Sequence, residues 1–413
     1  MKKWVAQVGI DWADQKHDWV LKDGKGRRDG GEFSSKPEAV HEWVRSIRAQ
    51  YPEGMILISL EQSRGALIYA LMQYDFLILL PINPRALALH RQSLYLSGAK
   101  SDPKDADLIC DFGADNIDRM RVLVPDDVQT RKLGLMAEAR RGLVDQRTSH
   151  IQALTAACKQ YFPQVLEWFG GAGEQLTLAF LQKWTTLEEA RTIRRDSLRT
   201  FLRAHSRWSE EKTEALCNSI RSAVALTADE AIIESYALQA QSIAAVILVL
   251  NEQVSRYDKR LEELTQAHPD YEVFASFPGA GKVMTARLIP AFGKNRDRWQ
   301  DAREIQSYSG IAPVVESSGK HRWVHARWLC PKFLRQTFHE FALASIPHCE
   351  WAKAFYHQQR DRGAGHHAAV RSLAYRWMRI LFRCWKDKEA YDDERHLTQL
   401  RLRKSPLIKR LAA

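Results

Sequence analysis

The run WVAQVGIDWADQKHDWVLKDGKGRRDGGEFS, residues 4–34, decides the architecture of the amino-terminal part of the chain. Within it, WVAQVGID and HDWVLKD are short stretches rich in β-branched and aromatic residues, split by a polar turn. GRRDGGEFS returns as a third, so the run predicts a meander of three strands. Beyond it, KPEAVHEWVRSIRAQY (36–51) carries the apolar spacing of a helix, with Pro37 in its first turn. GMILISLE (54–61) and FLILLPIN (76–83) are continuous apolar runs of the kind shown by strands buried on both faces, and the helical RGALIYALMQYD (64–75) separates them.

Residues 1–125 therefore read as an α/β domain. A meander followed by strand-helix-strand units fits a ribonuclease-H-like sheet, although a generic α/β layer produces much the same pattern. Residues 126–267 read as a helical, coiled-coil region. Tyr236, Ala240, Ile243, Ile247, Leu250, Val254, Tyr257, Leu261 and Leu264 recur at spacings of four and three, the seam of a coiled coil. A second long helical stretch over 128–162 predicts an antiparallel partner within the chain or a dimer with a second copy, and shorter helices are inserted between the two. Residues 268–390 read as a third, mainly helical domain, and 391–413 as a basic, loosely ordered tail.

A chain of 413 residues, 45% hydrophobic and 27% charged, accommodates two or three globular domains. Asp11 interrupts the amino terminus before a signal-peptide core forms, and no uninterrupted apolar run approaches the ~18 residues that span a bilayer, so a cytoplasmic protein without a membrane partner is expected. The six cysteines lie far apart and predict reduced thiols. His321, His325, Cys330, His348 and Cys349 match no standard zinc spacing. The net charge of +11 is unevenly placed: residues 317–413 hold 20 Lys and Arg against 8 Asp and Glu, whereas the preceding part holds 41 against 42. A concentrated positive field attracts phosphate backbones, which makes nucleic acid the first partner to consider; a solvated basic face is the plainer alternative.

Asp11 ends the first predicted strand and Glu61 the fourth, so both carboxylates emerge at one edge of a sheet. Asp102 and Asp105 follow in KSDPKDADLI, three residues apart, where Pro103 suits a first helical turn with Asp102 as its cap. Four carboxylates brought together repel one another unless divalent cations neutralise them, and hard oxygen ligands select Mg²⁺ or Mn²⁺. Two such ions would activate the attacking oxygen and stabilise the leaving oxygen of a phosphodiester.

FPGAGKVMT (277–285) lacks the residues of a phosphate-binding P-loop, with Ser276 and Val283 in the places of the first glycine and the terminal Ser or Thr. It fits better as the hairpin of a helix-hairpin-helix in which Gly279, Gly281 and Lys282 approach a phosphate, or as a tight turn between core helices. In IAPVVESSGKHRWV (311–324), Ser317 and Ser318 lie in a turn near Lys320, Arg322 and Arg327. A hydroxyl there would attack a phosphodiester and hold the DNA end as a serine ester, conserving the bond energy for rejoining.

The combination resembles the DEDD transposases related to the Piv/MooV DNA invertases, the insertion-sequence family called one-hundred-and-ten. GIDWA, LEQSRG and SDPKDAD look like its RuvC-like nuclease motifs, and FPGAGKVMTARLIPAFG and YSGIAPVVESSGK like its carboxy-terminal transposase domain. The resemblance implies a catalytic acidic tetrad at Asp11, Glu61, Asp102 and Asp105 and a nucleophilic serine in Ser317-Ser318, with Ser317 favoured. It implies a recombinase acting on donor and target DNA, guided by a non-coding RNA from the same element; the coiled-coil seam points to a homo-oligomer, a dimer or tetramer. A metal-dependent nuclease of Holliday-junction-resolvase type needs the same acids but no serine, and a non-catalytic nucleic-acid-binding protein needs only the basic region.

Overall fold

Strands β1 (Ala6–Trp12), β2 (Lys16–Asp23) and β3 (Arg28–Ser34) form the antiparallel meander of the opening run. The chain continues through α1 (Pro37–Gln50), β4 (Ile56–Leu60), α2 (Ala66–Leu71), β5 (Leu77–Pro81), α3 (Pro84–Leu94) and α4 (Asp102–Asn116). β4 pairs parallel to β1 and β5 parallel to β4, which gives the order β3-β2-β1-β4-β5. The structure, a computed structural model, describes residues 4–94, 102–205, 207–319 and 321–411, without the side chains of 102, 103, 409 and 410.

Both faces of the sheet are covered, as the continuous apolar runs require. Val8, Ile10, Ile56, Ile58 and Leu60 point to one face and pack with Val40, Trp43, Val44 and Ile47 of α1. The alternate positions point to the other face, where α4 lies directly on the backbone. A Cβ on Gly9 would collide with Ala106 and Cys110 of α4, and one on Gly113 with the Ser59 side chain. Glycines at these two positions let helix and sheet approach this closely.

Residues 1–125 form one unit and 126–413 another. The second opens with α5 (Val128–Tyr161), α6 (Gln164–Trp168), α7 (Gln175–Lys183), α8 (Leu187–Arg191), α9 (Arg195–His205), α10 (Glu210–Ser222) and α11 (Glu230–Gln266). It continues with α12 (Tyr271–Ala275), α13 (Lys282–Phe292), α14 (Ala302–Tyr308), β6 (Val314–Ser318), β7 (His321–His325), α15 (Lys332–Ser345), α16 (Glu350–Asp361), α17 (His366–Asp387), α18 (Asp393–Leu402) and α19 (Pro406–Leu411).

Of the two arrangements the seam allows, the fold shows the one within the chain. α5 and α11 run antiparallel: Gln129 donates to the Leu264 carbonyl at 3.4 Å, Arg140 pairs with Asp258 at 2.8 Å and Arg147 bonds Asn251 at 3.2 Å. Ala240, Ile247, Leu250, Val254 and Leu261 of the seam are buried, and the five short helices α6 to α10 fold over one end of the pair around their own apolar cluster. α11 is also long and apolar enough to cross a membrane by length and composition, which the search for uninterrupted apolar runs passes over. One face of it, with Ala240, Ile247 and Leu250, is buried in this packing, while Leu238, Val246 and Val249 stay exposed.

Around α17 the remaining helices build the largest core, in which Trp299, Trp351, Trp377, Trp385, Phe338 and Phe341 are almost fully buried. A buried aromatic side chain contributes about 2–3 kcal/mol by burial alone, so this core fixes the carboxy-terminal region firmly. The segment expected to be a loose tail forms α18 and α19 instead, held by buried Leu400 and Leu407 among the basic residues.

Candidate active site

The acids of the first unit are placed by strand register. Ile10 lies opposite Leu60 across the parallel β1–β4 pair, so Asp11 and Glu61 follow as neighbours at the carboxyl ends of adjacent strands. By alternation they share the face of Gly9 and Ser59, which is the face α4 covers. Asp18 of β2 stands directly opposite Asp11 in the antiparallel register and joins the same face. Sequence reasoning missed Asp18; pairing HDWVLKD back across the turn at 13–15 would have exposed it. Like charges directly opposite on a sheet destabilise it, so a row of carboxylates across β2, β1 and β4 is an electrostatic cost that a cation would relieve.

α4 brings the next acid over this face. Asp105, in its first turn, is 4% exposed and paired with Arg91 of α3 at 2.8 Å. Lys22 of β2 anchors the same helix by binding Asp107 at 2.7 Å and Asp111 at 2.8 Å. Burial works against the charge of Lys22, but those hydrogen bonds outweigh it and hold the ammonium above its ordinary pKa. The backbone of Asp102 begins the helix; its side chain lies outside the described residues.

The donor set, carboxylates alone, suits a hard divalent cation. Among the described residues, which leave out the Asp102 side chain, no three His, Cys, Asp or Glu side chains converge closely enough to hold one. The ion pair between Arg91 and Asp105 engages one of the four acids.

In the second unit, the two serines sit on a strand rather than in the loop expected of them. β6 pairs with β7, with Ser318 opposite His321, and Gly319, which follows β6, has a left-handed backbone, φ +57°, that glycine adopts without strain. Lys320 lies outside the described residues. Val315 faces Val324, Glu316 faces Trp323, Ser317 faces Arg322 and Ser318 faces His321. Opposed residues share a face, so Val315, Ser317, Arg322 and Val324 lie on one side and Glu316, Ser318, His321 and Trp323 on the other. The contacts agree: Glu316 meets His325 at 3.6 Å and His321 stacks on Trp323, both on the Ser318 side. Val315 and Val324 line a groove of about 990 Å³, which puts Ser317 on the groove side of the hairpin.

One glycine of the turn is committed to packing. Gly279, at φ +80°, lies against the Ala344 carbonyl, where a Cβ would come within 2.6 Å. Gly281 caps α13 and is exposed, and the Lys282 ammonium pairs with Glu262 at 2.5 Å. α12 spans only five residues. Arg327 is half-buried, its carbonyl accepting a bond from Arg335 at 3.3 Å. All six cysteines are free thiols; the Cys349 thiol, pushed up to about 12 by burial, donates to Asp393 at 3.7 Å.

Two family models match the chain. The model of the DEDD transposases of IS110 covers residues 8–163, which include all four acids, and the model described as "Transposase IS116/IS110/IS902 family" covers 271–357, which include both serines. Similar proteins include the mini-circle protein of IS117 from Streptomyces coelicolor, 26% identical over 95% of this chain and 96% of its own length. The 42 kDa protein of insertion element IS900 from Mycobacterium paratuberculosis is 23% identical over 93% of this chain and 96% of its own length. The 43.6 kDa protein of IS110 from Streptomyces coelicolor is 24% identical over 74% and 76%.

Proposed function

We propose that this chain, which belongs to the IS116/IS110/IS902 family of insertion-sequence transposases, is a DNA recombinase that cuts and rejoins strands through a serine-linked intermediate. The observation that carries the reading is the hairpin register, which sets Ser317 opposite Arg322 on the groove side. The Ser317 Oγ–P bond forms as one P–O ester bond of the DNA strand breaks, the hydroxyl gives up its proton and the freed sugar oxygen takes one up. Attack by a sugar hydroxyl of another strand reverses the exchange, so the bond energy is kept through the cycle without a nucleotide cofactor. Arg322 stabilises negative charge on the phosphate as the bonds change.

Asp11, Glu61, Asp102 and Asp105 are the ligands we assign to Mg²⁺ or Mn²⁺, and such an ion would supply Lewis-acid activation of the phosphate or of the leaving oxygen. The row formed by Asp18, Asp11 and Glu61 supports this assignment, because carboxylates crowded on one sheet face favour a cation among them.

The family resemblance adds a guide: a non-coding RNA of the same element that pairs with donor and target DNA, a partner in keeping with the carboxy-terminal positive charge. Sequencing the RNA that co-purifies with the chain tests this, and a discrete transcript is expected. Assembly as a dimer or tetramer is in keeping with the outward-facing Leu238, Val246 and Val249 of α11, and light scattering measures it.

Ser317→Ala should bind DNA as the parent does yet trap no protein–DNA adduct on denaturing gels, whereas Ser318→Ala should still trap it. Adduct formation by Ser317→Ala would overturn the assignment. Cleavage to free ends with no adduct in the parent chain would instead favour the resolvase-type reaction.

A further inference from the structure

The positive excess of the carboxy-terminal region is not spread evenly over its surface. Five arginines line the groove beside the serine hairpin: Arg371, Arg376, Arg379 and Arg383 of α17, and Arg403 just beyond α18. No Asp or Glu among the described residues lines it with them. Arg383 has a carboxylate at 3.5 Å, Asp387 of its own helix. Arg371, Arg376, Arg379 and Arg403 form no ion pair among the described residues.

One of these side chains is held in place without being neutralised. The Arg376 guanidinium lies over Trp351 and Phe355, 5.5 and 5.1 Å from the ring centroids, which fixes it at the groove wall. Burial, and then the neighbouring Arg379, pull its pKa below the ordinary guanidinium range. Half-buried like charges cost free energy, and an anion that enters the groove offsets it. Arg371 to Arg383 spans twelve residues, about 18 Å of helix, which matches the rise of roughly five nucleotides at about 3.4 Å each.

We infer that this groove seats the sugar–phosphate backbone of the DNA strand flanking the phosphate that Ser317 attacks. The choice of DNA rests on the serine reading, since Val315 lines the groove and Ser317 follows two residues later on the same face, about 7 Å along the strand. A strand lying along α17 would thus pass the hydroxyl.

The test uses the intact chain and a fluorescein-labelled DNA duplex, with affinity followed by anisotropy over a salt series. In Arg371→Gln/Arg379→Gln/Arg403→Gln, the slope of log K against log salt should be shallower by about 2.7, which is about 0.9 for each of three lost phosphate contacts. The same three positions changed to lysine should keep the parent slope, because the slope counts charges. Arg256→Gln/Arg260→Gln/Arg303→Gln, exposed positions outside the groove, should also keep it. A parent-like slope in the groove variant overturns the proposal, and so does an equal fall in the control. A fall seen with an RNA duplex of the same sequence and not with DNA would assign the groove to RNA and refute it as well. Ser317→Ala separates the two readings, since it should lose the covalent adduct and keep the slope. An adduct that persists there defeats the serine assignment while leaving the groove measurement to stand by itself.

Discussion

Replacing Gly9 by alanine would drive a methyl group into the backbone of α4. The added Cβ would lie 2.8 Å from the Cys110 Cα and nearer still to the Ala106 carbonyl oxygen and the Cys110 nitrogen. All three are main-chain atoms, so no side-chain rotation relieves the clash; the helix must retreat by roughly 1 Å, at a cost of about 1–3 kcal/mol. Asp105 rides on the first turn of that helix, while Asp11 stays two residues beyond position 9 on the strand. Retreat of α4 therefore widens the gap between two acids proposed to act together, and a displacement of about 1 Å at a reacting centre costs on the order of 10²-fold in rate. Hydrogen exchange followed by mass spectrometry on the intact chain measures the first effect: a loss of about 2 kcal/mol speeds exchange of the β1 and α4 amides roughly 30-fold. Strand cleavage in Mg²⁺ measures the second. Gly142→Ala is the matched control, because that glycine sits exposed in the middle of α5 with open space at its Cβ and should gain about 0.5–1 kcal/mol. Parental exchange and parental cleavage in Gly9→Ala would refute the argument that close packing of α4 positions the acids.

Asp11→Asn, Glu61→Gln and Asp105→Asn should each abolish strand cleavage with little change in the circular dichroism spectrum, since each removes an anionic donor at constant volume; parental cleavage in any of them removes that residue from the site. Glu340→Gln should lower the stability of the second unit by about 2–3 kcal/mol, because that carboxylate pairs with Arg141 at 3.1 Å and with nearly buried Arg287, and thermal unfolding will show whether it does. Acid should weaken the fold: burial, then Arg376, pull His396 down to about 4, and burial lowers His17, His268 and His339. The unfolded state thus binds more protons below about pH 6.5, and stability present above that value is lost as the pH falls toward about 4. Urea midpoints measured at neutral pH and at about pH 5 should differ in that direction, and equal midpoints would contradict it.

The first unit was largely legible in the sequence because its signals are local. Continuous apolar runs mark strands covered on both faces, and GMILISLE and FLILLPIN became β4 and β5. Asp11 and Glu61 could be placed together because each ends a strand. Asp18 could not, since its relation to Asp11 depends on register across a turn rather than on its own neighbourhood. Nor does spacing report that Arg91, eleven residues before Asp102, would take Asp105 as its partner. In the carboxy-terminal region, the density of positive charge concealed the helices of 391–413. A basic composition reads as a solvated tail, yet Leu400 and Leu407 are buried, and Tyr391, Leu397, Ile408 and Leu411 pack against the core beside them. The arginines of α17 were counted as charge in the sequence; only the helix, with Trp377 and Trp385 turned inward, sets them along one wall of a groove.

The serine pair marks the boundary between what composition specifies and what geometry adds. Ser317 and Ser318 have the same chemistry and adjacent positions, and a loop would offer both hydroxyls alike. The register of β6 on β7 removes that equivalence, because it fixes the face of every side chain. Val315 and Val324, apolar and opposed, mark the side that looks into the groove. Ser317 then belongs to that side by parity, in company with Arg322, while Ser318 shares the other with Glu316, whose carboxylate would repel an approaching phosphate. The preference for Ser317 therefore follows from strand register and from the placement of two valines, features of local structure rather than of serine chemistry.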